Sequence, residues 1–223
     1  MNTLDEARWL ADAEAQPILQ GSPEWFAMRL GKVTASRIAD VMAKPRVPGA
    51  GMRVNYMWQL ACERMTGQPM KTYQSKTMLE AHEWEPIARA AYAFKSDNHV
   101  SQVAFVDHND IPNCGCSPDG LIGDEGDGLV EIKCPELTAH MDTLLREVIP
   151  SEYVKQMQFQ MACCERLWCD YVSFNADLPE NMRVAIIRLP RDVNMISEME
   201  AEVRKFQAEL AEKVGLLREK FPT

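Results

Sequence analysis

No stretch of these 223 residues approaches the roughly 20 consecutive apolar positions that a membrane-spanning helix requires. The opening MNTLDEARWLADAEAQP lacks the basic flank and apolar centre of a secretory leader. It reads instead as a short amphipathic helix, residues 1–19, so the expectation is a cytoplasmic protein. Repeats and low-complexity tracts are absent, which excludes solenoids and fibrous arrays. The seven cysteines, Cys62, Cys114, Cys116, Cys134, Cys163, Cys164 and Cys169, are odd in number and scattered. Reduced thiols are therefore expected rather than a disulfide framework.

A net positive charge is also lacking: the formal total is −9. The total hides an uneven distribution, which matters more for a polyanionic partner. Between Arg29 and Lys76 nine basic residues face only Asp40 and Glu63, so this segment carries +7 and the remainder −16. One reading is a positive groove on a repelling exterior; the other is a solvated face with counter-charges nearby in space.

What is present is an ordinary globular composition, 46% hydrophobic and 26% charged, enough for one well-buried α/β domain. TASRIADVMA reads as a helix with Thr34 or Ser36 as its N-cap. KPRVPGAGMR, Lys44 to Arg53, reads as a basic loop. NYMWQLACERMTG reads as a helix stopped by Gly67, and TMLEAHEWEPIARAAYAF as a longer helix kinked near Pro86. VSQVAFVD, NCGCSPDGLIG and GLVEIKCP follow as strands. SEYVKQMQFQMACCERLW is a helix, CDYVSFNAD and RVAIIRLP are strands, and the tail is an amphipathic helix carrying Ile196, Met199, Val203, Phe206, Leu210, Val214 and Leu217. This order predicts a single mixed α/β domain.

The stretch CSPDGLIGDEGDGLVEIKCP, Cys116–Pro135, carries the chemistry. Alternation sets Glu131 and Lys133 on one face of a strand and Ile132 on the other. Burying such charges beside Asp119 is expensive without a purpose. Two carboxylates from adjacent strands suit a hard divalent cation such as Mg²⁺, which prefers oxygen ligands and keeps several waters. A lysine beside them can orient or deprotonate an attacking water and neutralise charge developing on a phosphate. The pattern points to metal-assisted phosphodiester hydrolysis. The alternative is a surface hairpin in which Glu131 and Lys133 are merely neighbours. Asp124, Glu125 and Asp127 belong to the turn and read as solvated.

SPDG followed by ExK resembles the PD-(D/E)XK nuclease core, the restriction-endonuclease-like fold. The form CSPDGL…GLVEIKCP is similar to the lambda-type exonucleases, also described as YqaJ-like viral recombinases or alkaline exonucleases. EWFAMRLGKVTASRIADVMAKPR, Glu24 to Arg46, resembles that family's amino-terminal motif of Trp, Arg-x-Gly and Thr-Ala-Ser. Glu85 in EAHEWEPIAR resembles its upstream acidic helix residue, and YVKQMQFQM its glutamine-bearing helix. The expected layout is one nuclease domain over 1–223, with the exonuclease core at 20–190 and a C-terminal helix at 195–220.

The resemblance implies a 5′→3′ exonuclease that digests one strand of linear duplex DNA and leaves a 3′ single-stranded tail for recombination. It implies Mg²⁺ (or Mn²⁺) held by Asp119 and Glu131 with the backbone carbonyl of Ile132, and Lys133 at the water. Glu85 would act on a second ion or through a water, with Gln156 or Gln158 supporting the site. A homotrimeric ring around the duplex and a single-strand annealing partner are further implications. Arg29 is suited to grip a phosphate bidentately, with Ser36 at a helix start and Ser117 as companions in a 5′-phosphate pocket. The other reading of Arg29 is a structural ion pair. Arg46 and Lys76 lie in the basic segment expected to meet the duplex backbone. Met78 takes the place of an apolar wedge, or is simply a helix-core methionine.

Two departures stand out. No arginine follows the core until Arg146, leaving His140 as a stand-in for a phosphate-supporting arginine. Pro86 directly follows Glu85. Two alternatives stay open: a Cas4-like iron–sulfur nuclease of the same core, using Cys62, Cys163, Cys164 and Cys169, and a non-catalytic DNA-binding module. Adjacent Cys163 and Cys164 would diverge by about 100° on one helix, and Cys114-Gly-Cys116 lacks a matching pair for zinc.

Overall fold

The structure, a computed structural model, describes residues 18–44, 51–70, 76–123 and 127–222, and of residues 76–82 the backbone alone. Ser22 caps helix α1 (Pro23–Arg29) by accepting from the Trp25 N–H. Strand β1 (Val33–Thr34), a 3₁₀ turn (Ala35–Arg37) and the four-residue α2 (Ile38–Val41) follow. Helix α3 (Met52–Thr66) ends at Gly67, whose φ of 67° is the left-handed stop expected of it. Helix α4 (Lys76–Ser96) contains Pro86 and continues through it.

Strands β2 (Val100–Ser101), β3 (Val106–Asp107), β4 (Cys114–Cys116), β5 (Gly120–Ile122) and β6 (Gly128–Lys133) come next. They lead into α5 (Leu137–Arg146), α6 (Ser151–Cys163), β7 (Trp168–Phe174), a 3₁₀ turn at Glu180–Met182, β8 (Val184–Pro190) and α7 (Val193–Lys220).

Two mixed sheets result, one of three strands ordered β1-β4-β3 and one of five ordered β2-β5-β6-β7-β8. In the larger, only β6 and β7 run parallel, with Glu131 opposite Tyr171 and Lys133 opposite Ser173. The period-2 alternation of GLVEIK sorts its side chains between two helices. Val130 and Ile132 pack with Val172 and Phe174 against Ala88 and Tyr92 of α4. Leu129 packs with Cys169 and Tyr171 against Met157 and Met161 of α6.

A third core joins α2, α3 and α7 to the small sheet. The Tyr56 ring stacks on Phe206 at 5.8 Å. Ile196, Met199, Val203, Phe206, Leu210 and Val214 are all buried there, while Leu217 at the end of the stripe is half-exposed. Each such burial is worth about 1.5–3 kcal/mol, so the tail helix is an integral part of this core.

Three expectations need correction. TASRIADVMA is helical only over Ala35–Val41: Val33–Thr34 pairs in parallel with Cys114–Gly115, and Thr34, which precedes the 3₁₀ turn, makes no side-chain capping bond. Two β-branched residues beside a strand edge favour the sheet over the helix. VSQVAFVD is not one strand; β2 joins the large sheet and β3 the small one. In the gap between them, the carbonyls of Val103 and Ala104 accept from the side chains of Gln20 and Trp25. NCGCSPDGLIG likewise divides into β4 and β5 around Pro118, whose missing N–H and fixed φ interrupt a ladder. Helix α5 is an element for which the sequence reading names none, although Leu137, Met141, Leu144 and Leu145 carry a helical spacing.

Candidate active site

The crossing from the small sheet to the large one delivers Asp119. Strand β5 begins with Gly120 opposite Val130, so the Ile132 N–H looks toward a place where no partner strand exists. Asp119 fills it: Oδ2 accepts that N–H at 2.6 Å. Among the described residues Oδ1 has no hydrogen bond. Glu131, only 1% exposed, projects from the opposite face, toward α6. Its Oε1 accepts from Lys133 Nζ and, at 2.6 Å, from Gln156 Nε2; its Oε2 accepts from Gln160 Nε2 at 2.6 Å. The Lys133 ammonium also lies 5.1 Å from the centre of the Tyr153 ring.

The electrostatics follow from this crowding. Burial pushes the Asp119 carboxyl well above its ordinary range, and the Glu131 charge pushes further in the same direction, opposed by Lys133. Burial works to discharge Lys133, but Glu131 and Asp119 overrule it and hold the ammonium charged above its usual value. The pocket thus holds more negative charge than it tolerates alone. That is the fit test for a divalent cation: two recessed carboxylates, one with an uncommitted oxygen, suit Mg²⁺, which needs one or two carboxylates and keeps its waters. A carbonyl such as that of Ile132 is chemically suited to join them.

Glu85 on α4 pairs with Arg89 one turn on, and its charge is among those that raise the Asp119 carboxyl. It stands at the rim of the carboxylate pair. Arg89 also donates through Nε to the carbonyl oxygen of Asp119 at 2.9 Å. Arg89 and Gln160 were missed in the sequence, although each lies four residues from a residue that was singled out, Glu85 and Gln156, and hence on the same helical face. The same spacing argues against Gln158. Its Nε2 donates to the Pro190 carbonyl at 2.8 Å and its Oε1 accepts from the Asp192 N–H at 2.9 Å, so it secures the entry to α7 and takes no part in the site.

A second cluster forms beside the first, because Ser117 lies two residues before Asp119. Its Oγ accepts from Trp25 Nε1 at 2.8 Å and from Arg29 Nη1 at 3.2 Å. The Arg29 guanidinium lies 4.1 Å over the Trp25 ring. Burial lowers the Arg29 pKa from its ordinary value, with Tyr56, Cys116 and Glu63 working against it; the guanidinium stays charged. Among the described residues no carboxylate forms an ion pair with it. Gly31, at φ 67°, turns the chain from Arg29 into β1. A side chain there would also press on Arg64 Cγ at 2.8 Å, which accounts for glycine in Arg-x-Gly. Ser36 stands in the 3₁₀ turn, exposed, its Oγ 3.3 Å from Thr34 Oγ1.

Arg46 lies outside the described residues; Lys76 and Met78 lie on α4 with their side chains outside them. His140 does not stand in for an arginine. It is fully buried, with Nε2 donating to the Met182 carbonyl at 2.8 Å and Nδ1 accepting from Ser173 Oγ at 2.7 Å. The iron–sulfur reading loses its ligand set. Among the described residues no three His, Cys, Asp or Glu converge to hold a metal. Cys169 and Cys163 are buried in separate cores, and Cys164 Sγ lies 3.4 Å from Cys116 Sγ, a cysteine outside that set. No described helix is long and apolar enough to cross a membrane.

Comparison with known proteins adds three findings. Residues 24–166 match the YqaJ-like viral recombinase domain. An alkaline exonuclease (LHK-Exo) from Laribacter hongkongensis is 46% identical and superposes with a TM-score of 0.82, over 89% of this chain and 97% of that one; its complex with dAMP agrees equally well. A phage-related exonuclease from Haemophilus somnus 129PT, 14% identical with a TM-score of 0.66 over 83% of this chain and 96% of that one, speaks to the fold alone. No curated protein matches. The fold is the restriction-endonuclease-like PD-(D/E)XK fold, a mixed central sheet flanked by helices.

Proposed function

The chain belongs to the YqaJ-like viral recombinase domain family, and we propose that it is a divalent-metal-dependent exonuclease digesting one strand of linear duplex DNA from its 5′ end. The observation that carries this reading is the convergence of Asp119, Glu131 and Lys133 where β6 outruns β5, with two glutamines gripping the central carboxylate. The 46% identical relative, an alkaline exonuclease, supports the same class of reaction.

Asp119 and Glu131 would hold Mg²⁺ (Mn²⁺ as a substitute), with the Ile132 carbonyl alongside. When bound, the cation would supply Lewis-acid polarisation of the scissile phosphate and a more acidic water. Lys133, kept charged by its neighbours, orients the attacking water and stabilises negative charge growing on the phosphoryl oxygens. Gln156 and Gln160 fix the Glu131 carboxylate so that it does not swing between partners. Glu85 acts from the rim. Arg29 and Ser117, supported on Trp25, bind the terminal 5′ phosphate. That anion would satisfy a guanidinium lacking a carboxylate partner among the described residues.

The product is a 3′-tailed duplex. The lambda-type resemblance further implies a homotrimeric ring threaded by the duplex and an annealing protein that receives the tail. The basic segment Arg29–Lys76 on an acidic chain is compatible with a positive channel and a repelling outside.

The test is digestion of a linear duplex labelled separately at its 5′ and 3′ ends, with Mg²⁺ and with EDTA, beside a closed circle. Metal-dependent loss from 5′ ends with the circle intact supports the proposal. Cutting of the circle would make the protein an endonuclease, and no cutting of any substrate would make it a binding module.

A further inference from the structure

Arg89 occupies an unusual position between the two acidic elements of the site. It sits on α4 one turn after Glu85, and its side chain is only 13% exposed. One edge of its guanidinium divides between two acceptors on different elements. Nη2 pairs with the Glu85 carboxylate on its own helix, and Nε donates at 2.9 Å to the main-chain carbonyl of Asp119 on the crossing between the sheets.

The consequences are mechanical and electrostatic. The Asp119 side chain is aimed by the bond from the Ile132 N–H to Oδ2; the bond from Arg89 to the same residue's carbonyl restrains its peptide. With backbone and side chain both tethered, Oδ1 keeps one direction. The same fork fixes Glu85 at a set place along the rim. Guanidinium geometry does this where an ammonium cannot, since a lysine is a point charge on a flexible stem and lacks a planar pair of donors. The charge count is informative as well. Among the described residues Glu85, Asp119 and Glu131 bring three negative charges and Lys133 and Arg89 return two, so this ionised set stays one charge negative and attracts a cation without repelling its own ligands apart.

We infer that Arg89 is a positioning residue of the nuclease site, a single fork that registers the Glu85-bearing helix to the Asp119-bearing crossing, so that Asp119 is held beside Glu131 for the cation while Glu85 stays at the rim. This rests on the proposed nuclease reading of the pocket. The role is distinct from metal binding itself: losing the fork removes a positive charge, so the cation is held as well or better while the chemistry loses its alignment.

The experiment compares the full chain with Arg89→Met and Arg89→Lys. It reads Mn²⁺ binding by calorimetry without DNA, turnover on linear duplex at saturating Mg²⁺, and the melting temperature. The expected result is turnover lowered by about 10–100-fold in both variants, Mn²⁺ affinity unchanged or tighter in Arg89→Met, and no rescue by Arg89→Lys. Turnover within twofold of wild type in either variant overturns the inference, because the fork is then dispensable. Loss of Mn²⁺ affinity together with a collapsed melting temperature in both also overturns it, in favour of a purely structural role. If the wild-type chain itself neither binds Mn²⁺ nor digests the duplex, the nuclease reading has failed and this inference with it; an active wild type with unaffected variants sinks the inference alone.

Discussion

Gln160 donates through Nε2 to Glu131 Oε2 at 2.6 Å, although the two residues come from a helix and a strand that meet only in the folded chain. The bond closes a ring of three donors around one buried carboxylate and makes Glu131 the fixed point of the site. Among the described residues the other end of the Gln160 amide, Oε1, is buried without a partner, a cost of about 1–3 kcal/mol that comes with keeping the donor in place.

Gln160→Leu should therefore separate activity from stability. Turnover on linear duplex is expected to fall about 10–100-fold, while removal of the orphaned acceptor keeps the melting temperature near wild type. Gln158→Leu should do the reverse, because it strands the Pro190 carbonyl and the Asp192 N–H. A loss of about 1–3 kcal/mol is expected, about 2–4 °C per kcal/mol for a chain of this size, with turnover per folded molecule unchanged. Steady-state kinetics beside calorimetry decides; equal effects of the two substitutions would refute the division.

Lys133→Ala removes the ammonium that pairs with Glu131. Cleavage should drop below detection while the affinity for duplex DNA, measured by fluorescence anisotropy, stays within about threefold, since phosphate contacts are spread over many cations. Retained turnover would remove Lys133 from the water.

Arg29→Ala should erase the preference for 5′-phosphorylated over 5′-hydroxyl ends, and Arg29→Lys should restore it only in part. The lysine keeps the charge but not the planar fork or the stack on Trp25. Initial rates on the two kinds of end give the answer. An unchanged ratio in Arg29→Ala would rule out the pocket.

The Arg53–Glu209 pair ties α3 to α7 through contacts of 2.7 and 3.0 Å. Its hydrogen bonds to Arg53 hold the Glu209 carboxyl below the ordinary range against the opposing effect of burial, helped by the charges of Arg53, Lys205 and Lys213. A lowered folded-state pKa stabilises above the unfolded value of about 4.3, and that contribution is lost as the pH falls through the folded value. The Glu209 side chain is 36% exposed and that of Arg53 16%, so solvent screens the pair and a double-mutant cycle at pH 7 should give only about 0.2–1 kcal/mol. The coupling should decline below about pH 4, as followed by urea unfolding. A coupling that grows on acidification would contradict the assignment.

Much of this was legible in one dimension. Alternation placed Glu131 and Lys133 on one face and Ile132 on the other, Gly67 marked the end of α3, and the tail stripe from Ile196 to Val214 marked its buried side. Where the reading failed, a partner distant in sequence had decided. Val33 and Thr34 became a strand because β4 lay beside them. His140, taken as a spare phosphate ligand, was claimed by Ser173 and the Met182 carbonyl.

By itself, the sequence determined the features that depend on a local period: which residues share a strand face or a helix face, where a helix must stop, and which acids and lysine can share one strand. These follow from 2.0 and 3.6 residues per repeat and from the φ that glycine and proline permit. Only the tertiary structure decided which glutamine holds Glu131, which serine carries Arg29, and that Arg89 bridges Glu85 to Asp119. Each of these is a hydrogen bond between elements, and its donor direction is set only when α4 and α6 pack against opposite faces of the same sheet.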